Sequence, residues 1–345
     1  RVFKTNLFYC HFKELHAHLN GSLSQMTLRK LHELQNPNCS EGDGEWNEWQ
    51  QLVKLEASLD KFICFRCFKM FPIAHNLTSA PEYVCIATKD VIRDFHDDNV
   101  IYLELRSTPR AVDGVMTKAE YVLAIIAAIK ASEAEYPRIM VKLLISVDRK
   151  RGYEDARENI SLAIQLKKQY PKYIVGIDLS GDPTTGSAFL ELLNSSRQAG
   201  LKISAHCAEV PNPTEIMDIL NFKPDRLGHC TCIHPSLNGS KELFEMLLMS
   251  KIPVELCLTS NIKCETVPDY ESHQFKYLYR AGHPISISTD DKGVFATSLS
   301  KEYEHVGKYF GIGADELNKI SKSTINYTFA SEEDNMKLIE FFDTT

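Results

Sequence analysis

Eight short, largely apolar runs alternate with helical patterns along the chain, and this order predicts an α/β fold, a (β/α)8 TIM barrel. Two further observations agree. Polar clusters fall at the ends of several runs, where barrel active sites are built. The length, 345 residues, is ordinary for such a barrel, so the chain reads as one domain spanning 1–345.

The runs are Lys13–Leu19, Val100–Thr108, Val141–Arg149, Ile174–Gly181, Leu201–Glu209, Asp225–Cys230, Pro253–Asn261 and Pro284–Asp291. Most are rich in Val, Ile and Leu, as strands covered on both faces are. Between them, Met116–Tyr136, Glu154–Tyr170, Ser187–Ala199, Lys241–Ser250 and Gln274–Ala281 carry apolar residues at helical spacing. Pro137, Pro171 and Gly200 supply stop signals after three of these. The stretch between the first two runs is long. It predicts extra helices after strand 1, including Leu52–Ala74 and Pro81–Asp97, as a cap over the catalytic face. Gly42-Asp43-Gly44 marks a loop within that cap. Two or three further helices follow strand 8.

Composition excludes several function classes. The chain is 43% hydrophobic and 25% charged, an ordinary globular balance. A net charge of -7 argues against a nucleic-acid surface but leaves room for a small anionic ligand. There is no apolar run long enough to span a membrane. Arg1–Asn6 lacks the apolar core of a signal peptide. The ten cysteines are scattered and read as reduced thiols, so a cytoplasmic enzyme is expected. Cys64-Phe65-Arg66-Cys67 has C-x-x-C spacing, but no second pair accompanies it, and it reads as core packing.

The chemistry begins at His16-Ala17-His18. Side chains alternate along a strand, so His16 and His18 share a face and form half of a divalent-metal site. H-x-H alone is common in ordinary strands. Here it has partners: His206-Cys207-Ala208-Glu209, Gly228-His229 and Thr289-Asp290-Asp291, each at the end of an apolar run. Three imidazoles and a carboxylate drawn from this set suit a borderline metal, zinc first.

These motifs, in this order over nearly the whole chain, resemble the adenosine/AMP deaminase family of metal-dependent amidohydrolases. The resemblance implies one zinc ion per chain, held by His16, His18, His206 and Asp290. It implies that Glu209 protonates purine N1 while water attacks C6, and that His229 orients or deprotonates that water. Asp291 shares the water and contacts the purine. Gly181, in Asp178-Leu179-Ser180-Gly181-Asp182, places a backbone N–H against the ring, where a Cβ would crowd the base. Strand 4 carries no lysine at its end, which favours a single metal over two.

Within the family, adenosine deaminases proper carry an aspartate where this chain has Asn20. A neutral amide beside the ribose 5′ position tolerates a phosphate that a carboxylate repels. Ser107, Thr108, Pro109 and Arg110 end strand 2 as a candidate phosphate cradle, although Arg110 also reads as a solvated surface arginine. His75 and Asp148 complete the candidate ligand contacts. These features, with Leu256–Asn261 and Ser288–Phe295, are similar to the adenosine deaminase-like branch, which implies hydrolysis of N6-methyl-AMP to IMP and methylamine. Cys230 and Phe12 depart from the family pattern, which has glycine and proline there. The expected partner is a small purine nucleotide, with no nucleic acid and no membrane, and the chain is expected to be a monomer. A plain adenosine deaminase and a non-catalytic purine-binding protein are the rivals. A base editor is not, because its H-x-E and P-C-x-x-C motifs are absent.

Overall fold

A computed structural model describes residues 11–37 and 63–343. Eight parallel strands follow one another in sequence order around a single sheet. They are β1 Phe12–His18, β2 Val100–Ser107, β3 Met140–Asp148, β4 Ile174–Ser180, β5 Lys202–Cys207, β6 Arg226–His229, β7 Val254–Leu256 and β8 Ile285–Ile287. Closure comes just past β8. Ala17 bridges Asp290, the His18 N–H donates to the Asp290 carbonyl at 3.0 Å, and the Asp290 N–H donates to the His16 carbonyl at 2.8 Å. The fold is a TIM barrel, as the alternating pattern predicts.

Helices wrap the strands. Between β1 and β2 lie α1 Gln25–Gln35, α2 Ile63–Leu77 and α3 Pro81–His96. Single helices follow the next five strands: α4 Lys118–Glu135, α5 Gly152–Gln169, α6 Leu190–Gln198, α7 Pro213–Phe222 and α8 Lys241–Ser250. The β7–β8 connection holds α9 Leu258–Lys263 and α10 Phe275–Arg280, and α11 Leu299–Phe310, α12 Ala314–Ser323 and α13 Glu332–Asp343 follow β8. Local chemistry sets the ends. Thr117 and Glu120 cap α4 reciprocally, and Asn212 caps α7 ahead of Pro213. Outward strand residues such as Leu103 and Leu105 join the main core with Tyr121 and Ile125 of α4.

Some expectations change. The run Pro253–Asn261 is not one strand: β7 stops at Leu256, and Leu258–Lys263 turns into α9. A short apolar run cannot separate strand from helix by periodicity. Here the Glu302 carboxylate accepts from the Thr259 N–H at 3.0 Å near the start of α9. The strands expected at 201–209 and 284–291 end earlier: β5 stops at Cys207, where Ala208 takes positive φ, and β8 stops at Ile287. Helix α7, short and opened by proline, lies in a stretch with no expected helix. Residues 52–62 of the expected helix Leu52–Ala74, the loop Gly42–Gly44 and Arg1–Asn6 lie outside the described residues, as do the side chains of Cys64 and Cys67.

The barrel interior is charged. Alternation along Tyr102-Leu103-Glu104-Leu105-Arg106 sends the leucines outward and the polar residues inward. Arg106 pairs with Asp178 at 2.8 Å and Glu255 at 2.9 Å. Arg226 pairs with Glu255 at 2.6 Å and with Glu104. All five side chains are essentially buried. Below them, the Arg226 guanidinium lies 3.5 Å from the Phe329 ring centroid, and the Phe329 N–H donates to Glu104 at 2.6 Å. The segment after α12 thereby plugs the floor.

Removing one partner of a buried pair strands the other charge, at a cost of about 3–5 kcal/mol. Arg226→Met should lower unfolding stability by about that amount, read from the urea midpoint. An unchanged midpoint contradicts the network.

Candidate active site

The site is built on the charged layer. His16 and His18 project from β1, His206 from β5 and His229 from β6, while Asp290 arrives with barrel closure. Ligand atoms of His16, His206, His229 and Asp290 all lie within 4.8 Å of one another. His18 Nε2 joins them, 3.3 Å from His206 Nε2 and 3.4 Å from Asp290 Oδ1. The structure thus gathers all five expected residues, with His229 in the tightest group where the sequence reading has His18.

Hydrogen bonds orient the rings. His16 Nδ1 lies 2.7 Å from Glu255 Oε2, and His206 Nδ1 donates to the Leu179 carbonyl at 2.8 Å. A carbonyl only accepts, so His206 turns its Nε2 lone pair into the cluster. His16 Nε2 is buried in the cluster without a hydrogen-bond partner. Ser260, on α9, donates to Asp290 Oδ2 at 2.6 Å. Buried imidazole nitrogens facing one carboxylate, with their outer nitrogens held by second partners, suit a zinc-type ion.

The field agrees. Burial pushes His16 down and Arg106 adds to this, but the Asp290 carboxylate 3.5 Å from Nε2 and the Glu255 carboxylate at Nδ1 outweigh both and raise it to about 9. The pocket therefore favours a positive charge. Burial lowers His18 to about 3 and His229 to about 4, leaving them neutral. Burial alone raises the Asp178 and Glu255 carboxyls, but the Arg106 guanidinium holds both well below the usual range. Burial, then the neighbouring Asp290, raises Asp291.

Glu209 stands just past β5, its Oε1 3.6 Å from His229 Nε2 and its Oε2 buried without a partner. Asp291 Oδ1 is likewise buried and unpartnered. A Cβ on Gly21 would lie 1.6 Å from that oxygen, so the glycine after Asn20 makes room for Asp291. This requirement has a sequence signal, the Asn20-Gly21-Ser22 turn after His18, but nothing local names the partner. Gly181 has φ +89°, and its Cβ would meet Asp148 Oδ1 at 2.0 Å. The crowding that fixes this glycine is with Asp148.

A second network lies across the mouth. Asn20 donates to Tyr121 Oη at 3.2 Å, which shares a 2.7 Å bond with Ser107. Thr78 donates to Asn20 Oδ1 at 3.4 Å. Arg110 is not a free surface group. It donates to the His75 carbonyl at 2.9 Å and to Thr78, tying the end of α2 to β2 beside Thr108 and Pro109. Burial, then Arg110 and Arg151, lowers His75 to about 4. Tyr121 was missed in the sequence because it lies within an ordinary helical pattern, and Thr78 because it falls in the short turn after α2, where nothing local marks it. Cys230 is a free thiol fully buried in the core, and its backbone N–H donates to the Cys207 carbonyl at 3.0 Å.

The adenosine deaminase family pattern, described as "Adenosine deaminase", matches residues 12–345. The chain belongs to the adenosine deaminase family. It is 45% identical over 323 residues to the N6-methyl-AMP deaminase of Bos taurus, covering 92% of this chain and 90% of that one. A crystal structure of Arabidopsis N6-mAMP deaminase superposes with a TM-score of 0.86 at 36% identity, over 98% of this chain and 99% of that one. A structure of Arabidopsis ADAL complexed with GMP gives 0.87 at 35% identity, over 99% and 98%. This deaminase family member is therefore an aminohydrolase with a TIM-barrel fold. No helix among the described residues is long and apolar enough to cross a membrane.

Misplacing a catalytic group by an ångström costs on the order of 10²-fold in rate. Gly21→Ala, which forces Asp291 aside, should cut deamination by about that factor with the circular dichroism unchanged. Near-normal turnover contradicts the placement of Asp291.

Proposed function

We propose that the chain is a zinc-dependent hydrolase acting at purine C6 of a nucleoside monophosphate, converting N6-methyl-AMP to IMP and methylamine. The observation that carries this is the facing pair of the His16–His18–His206–Asp290 cluster and Glu209, whose buried Oε2 has no partner. The names of the relatives support the substrate class.

Zinc held by those four residues would lower the pKa of water toward ~7 and so supply hydroxide at neutral pH. The rest falls to the chain. Purine C6 is a poor electrophile until N1 takes a proton, and Glu209 delivers that proton. His229 orients the attacking water. Asp291, with a free buried acceptor, shares that water and meets the purine. The Gly181 backbone N–H faces the ring. As the C6 hydroxyl gives up its proton, the C6–N6 bond breaks, the departing nitrogen takes up that proton and leaves as methylamine, and N1 keeps the proton from Glu209 in the lactam of IMP.

At the ribose end, Asn20 supplies a neutral amide within the Tyr121–Ser107 network. Thr108, Pro109 and Asp148 complete the proposed ligand contacts; Arg151 joins the last two, 3.4 Å from the Pro109 carbonyl and 3.6 Å from the Asp148 carboxylate. Arg110 holds the end of α2, with His75, over β2 and lends its charge to the 5′-phosphate. A monomeric cytoplasmic enzyme fits this reading.

The test compares initial rates on adenosine, AMP and N6-methyl-AMP. N6-methyl-AMP is expected to be the best substrate. A charge-assisted hydrogen bond is worth about 1.5–3 kcal/mol, or ~10–150-fold, so Asn20→Asp should reduce nucleotide turnover by a factor in that range and spare nucleoside turnover. Preference for adenosine in the wild type would replace this substrate with the nucleoside.

A further inference from the structure

The outer nitrogen of His229 meets a side-chain amide, where those of His16 and His206 meet a carboxylate and a carbonyl. Its Nδ1 lies 3.3 Å from Asn261 Nδ2. An amide flips easily between its two ends, so the question is what fixes Asn261. Two independent bonds do. The Phe275 N–H donates to His273 Nδ1 at 3.1 Å. That nitrogen must accept, and burial, then His229, lowers His273 to about 3, so the ring is neutral with its proton on Nε2. His273 Nε2 then donates to the Asn261 atom 2.9 Å away, which must be the carbonyl oxygen. Separately, Gln274 Nε2 donates to the His229 carbonyl at 3.0 Å, which fixes the glutamine amide as a donor. The same Gln274 nitrogen lies 2.9 Å from the same Asn261 oxygen. Both chains of logic place Asn261 Oδ1 away from His229 and Nδ2 toward it. All three side chains are buried, so water cannot relieve a wrong assignment.

We infer that Asn261, clamped by His273 and Gln274, is a positioning residue that holds His229 with its proton on Nε2, so that His229 enters the site as a hydrogen-bond donor. An NH2 group offers no acceptor, so His229 Nδ1 must accept. The neutral ring then carries its proton on Nε2, which faces Glu209 Oε1 at 3.6 Å and Asp290 Oδ2 at 3.8 Å. Both are acceptors. His206 has the opposite arrangement, its outer nitrogen donating and its inner one bare.

Two consequences rest on the proposed reaction. His229 has no inward lone pair for a metal, which leaves the fourth ligand to His18 despite the closeness of His229 to the cluster. Nor can its neutral ring take a proton from water at Nε2, so its part is to orient the water. The tautomer itself rests only on the hydrogen bonds above.

The test is a long-range 15N–1H correlation spectrum of zinc-loaded protein labelled at histidine. The His229 signals are assigned by their disappearance in His229→Gln. The expected pattern is that of an Nε2–H imidazole, and an Nδ1–H pattern overturns the proposal. Asn261→Asp substitutes an acceptor for the donor and should invert the His229 pattern, with a ~10–100-fold fall in kcat and little change in KM. His273→Gln keeps an N–H donor toward Asn261 and should preserve the pattern. An unchanged His229 pattern in Asn261→Asp overturns the proposal, and if that variant fails to fold, the wild-type spectrum decides alone. Absence of turnover on every purine would sink the proposed function while leaving the spectral result intact.

Discussion

The structure depends on burying ion pairs inside the barrel. Most barrels fill this space with branched apolar side chains. Here Arg106 and Arg226 interleave with Glu104, Asp178 and Glu255. Burying these ions is expensive, and the arrangement holds only because each is paired within hydrogen-bonding distance. The layer does more than hold the strands in register. Two guanidinium groups against three carboxylates leave one negative charge beneath the histidines, and Asp290 adds a second. That negative charge favours a cation there, and the Asp290 and Glu255 carboxylates raise His16 to about 9. Glu255 ties the parts together: it accepts from Arg106, Arg226 and Ser204 and sits 2.7 Å from His16 Nδ1.

Closure of the barrel completes the site. The backbone bonds between β1 and Asp290 are the seam of the sheet and also the reason a carboxylate meets two imidazoles. The turn there is strained. Ala208, His229, Cys230 and Asp290 all have φ between +52° and +64°. Such conformations cost of the order of 1–3 kcal/mol for residues other than glycine, and they persist where surrounding structure over-determines them. Each bends the chain at a strand end, turning the next residues away from the barrel wall. Cys230 shows the trade: glycine is easier at this φ, but the thiol packs outward in the main core.

Much of this was legible in the sequence. The strand count, their order and the polar residues at their ends follow from hydrophobic patterning. The metal-type residues were visible because histidine and aspartate at the ends of apolar runs stand out. The charged interior was written in the alternation along β2, yet it reads there as a buried strand of mixed character. The roles of Asn261, His273 and Gln274 could not be read, because they depend on which end of an amide faces which ring. Arg110 was likewise ambiguous, since only the fold shows its donors spent on the end of α2. Residue type marks the reacting groups, whereas orientation is a property of the assembled turns.

The central claim is that the buried charge layer and the barrel seam together create one site for a divalent cation. The most direct measurement is a calorimetric titration of metal-free protein with zinc, repeated on His206→Ala. The account predicts one ion per chain in the wild type and loss of that binding in the variant. No binding in the wild type, or equal binding in His206→Ala, would contradict it.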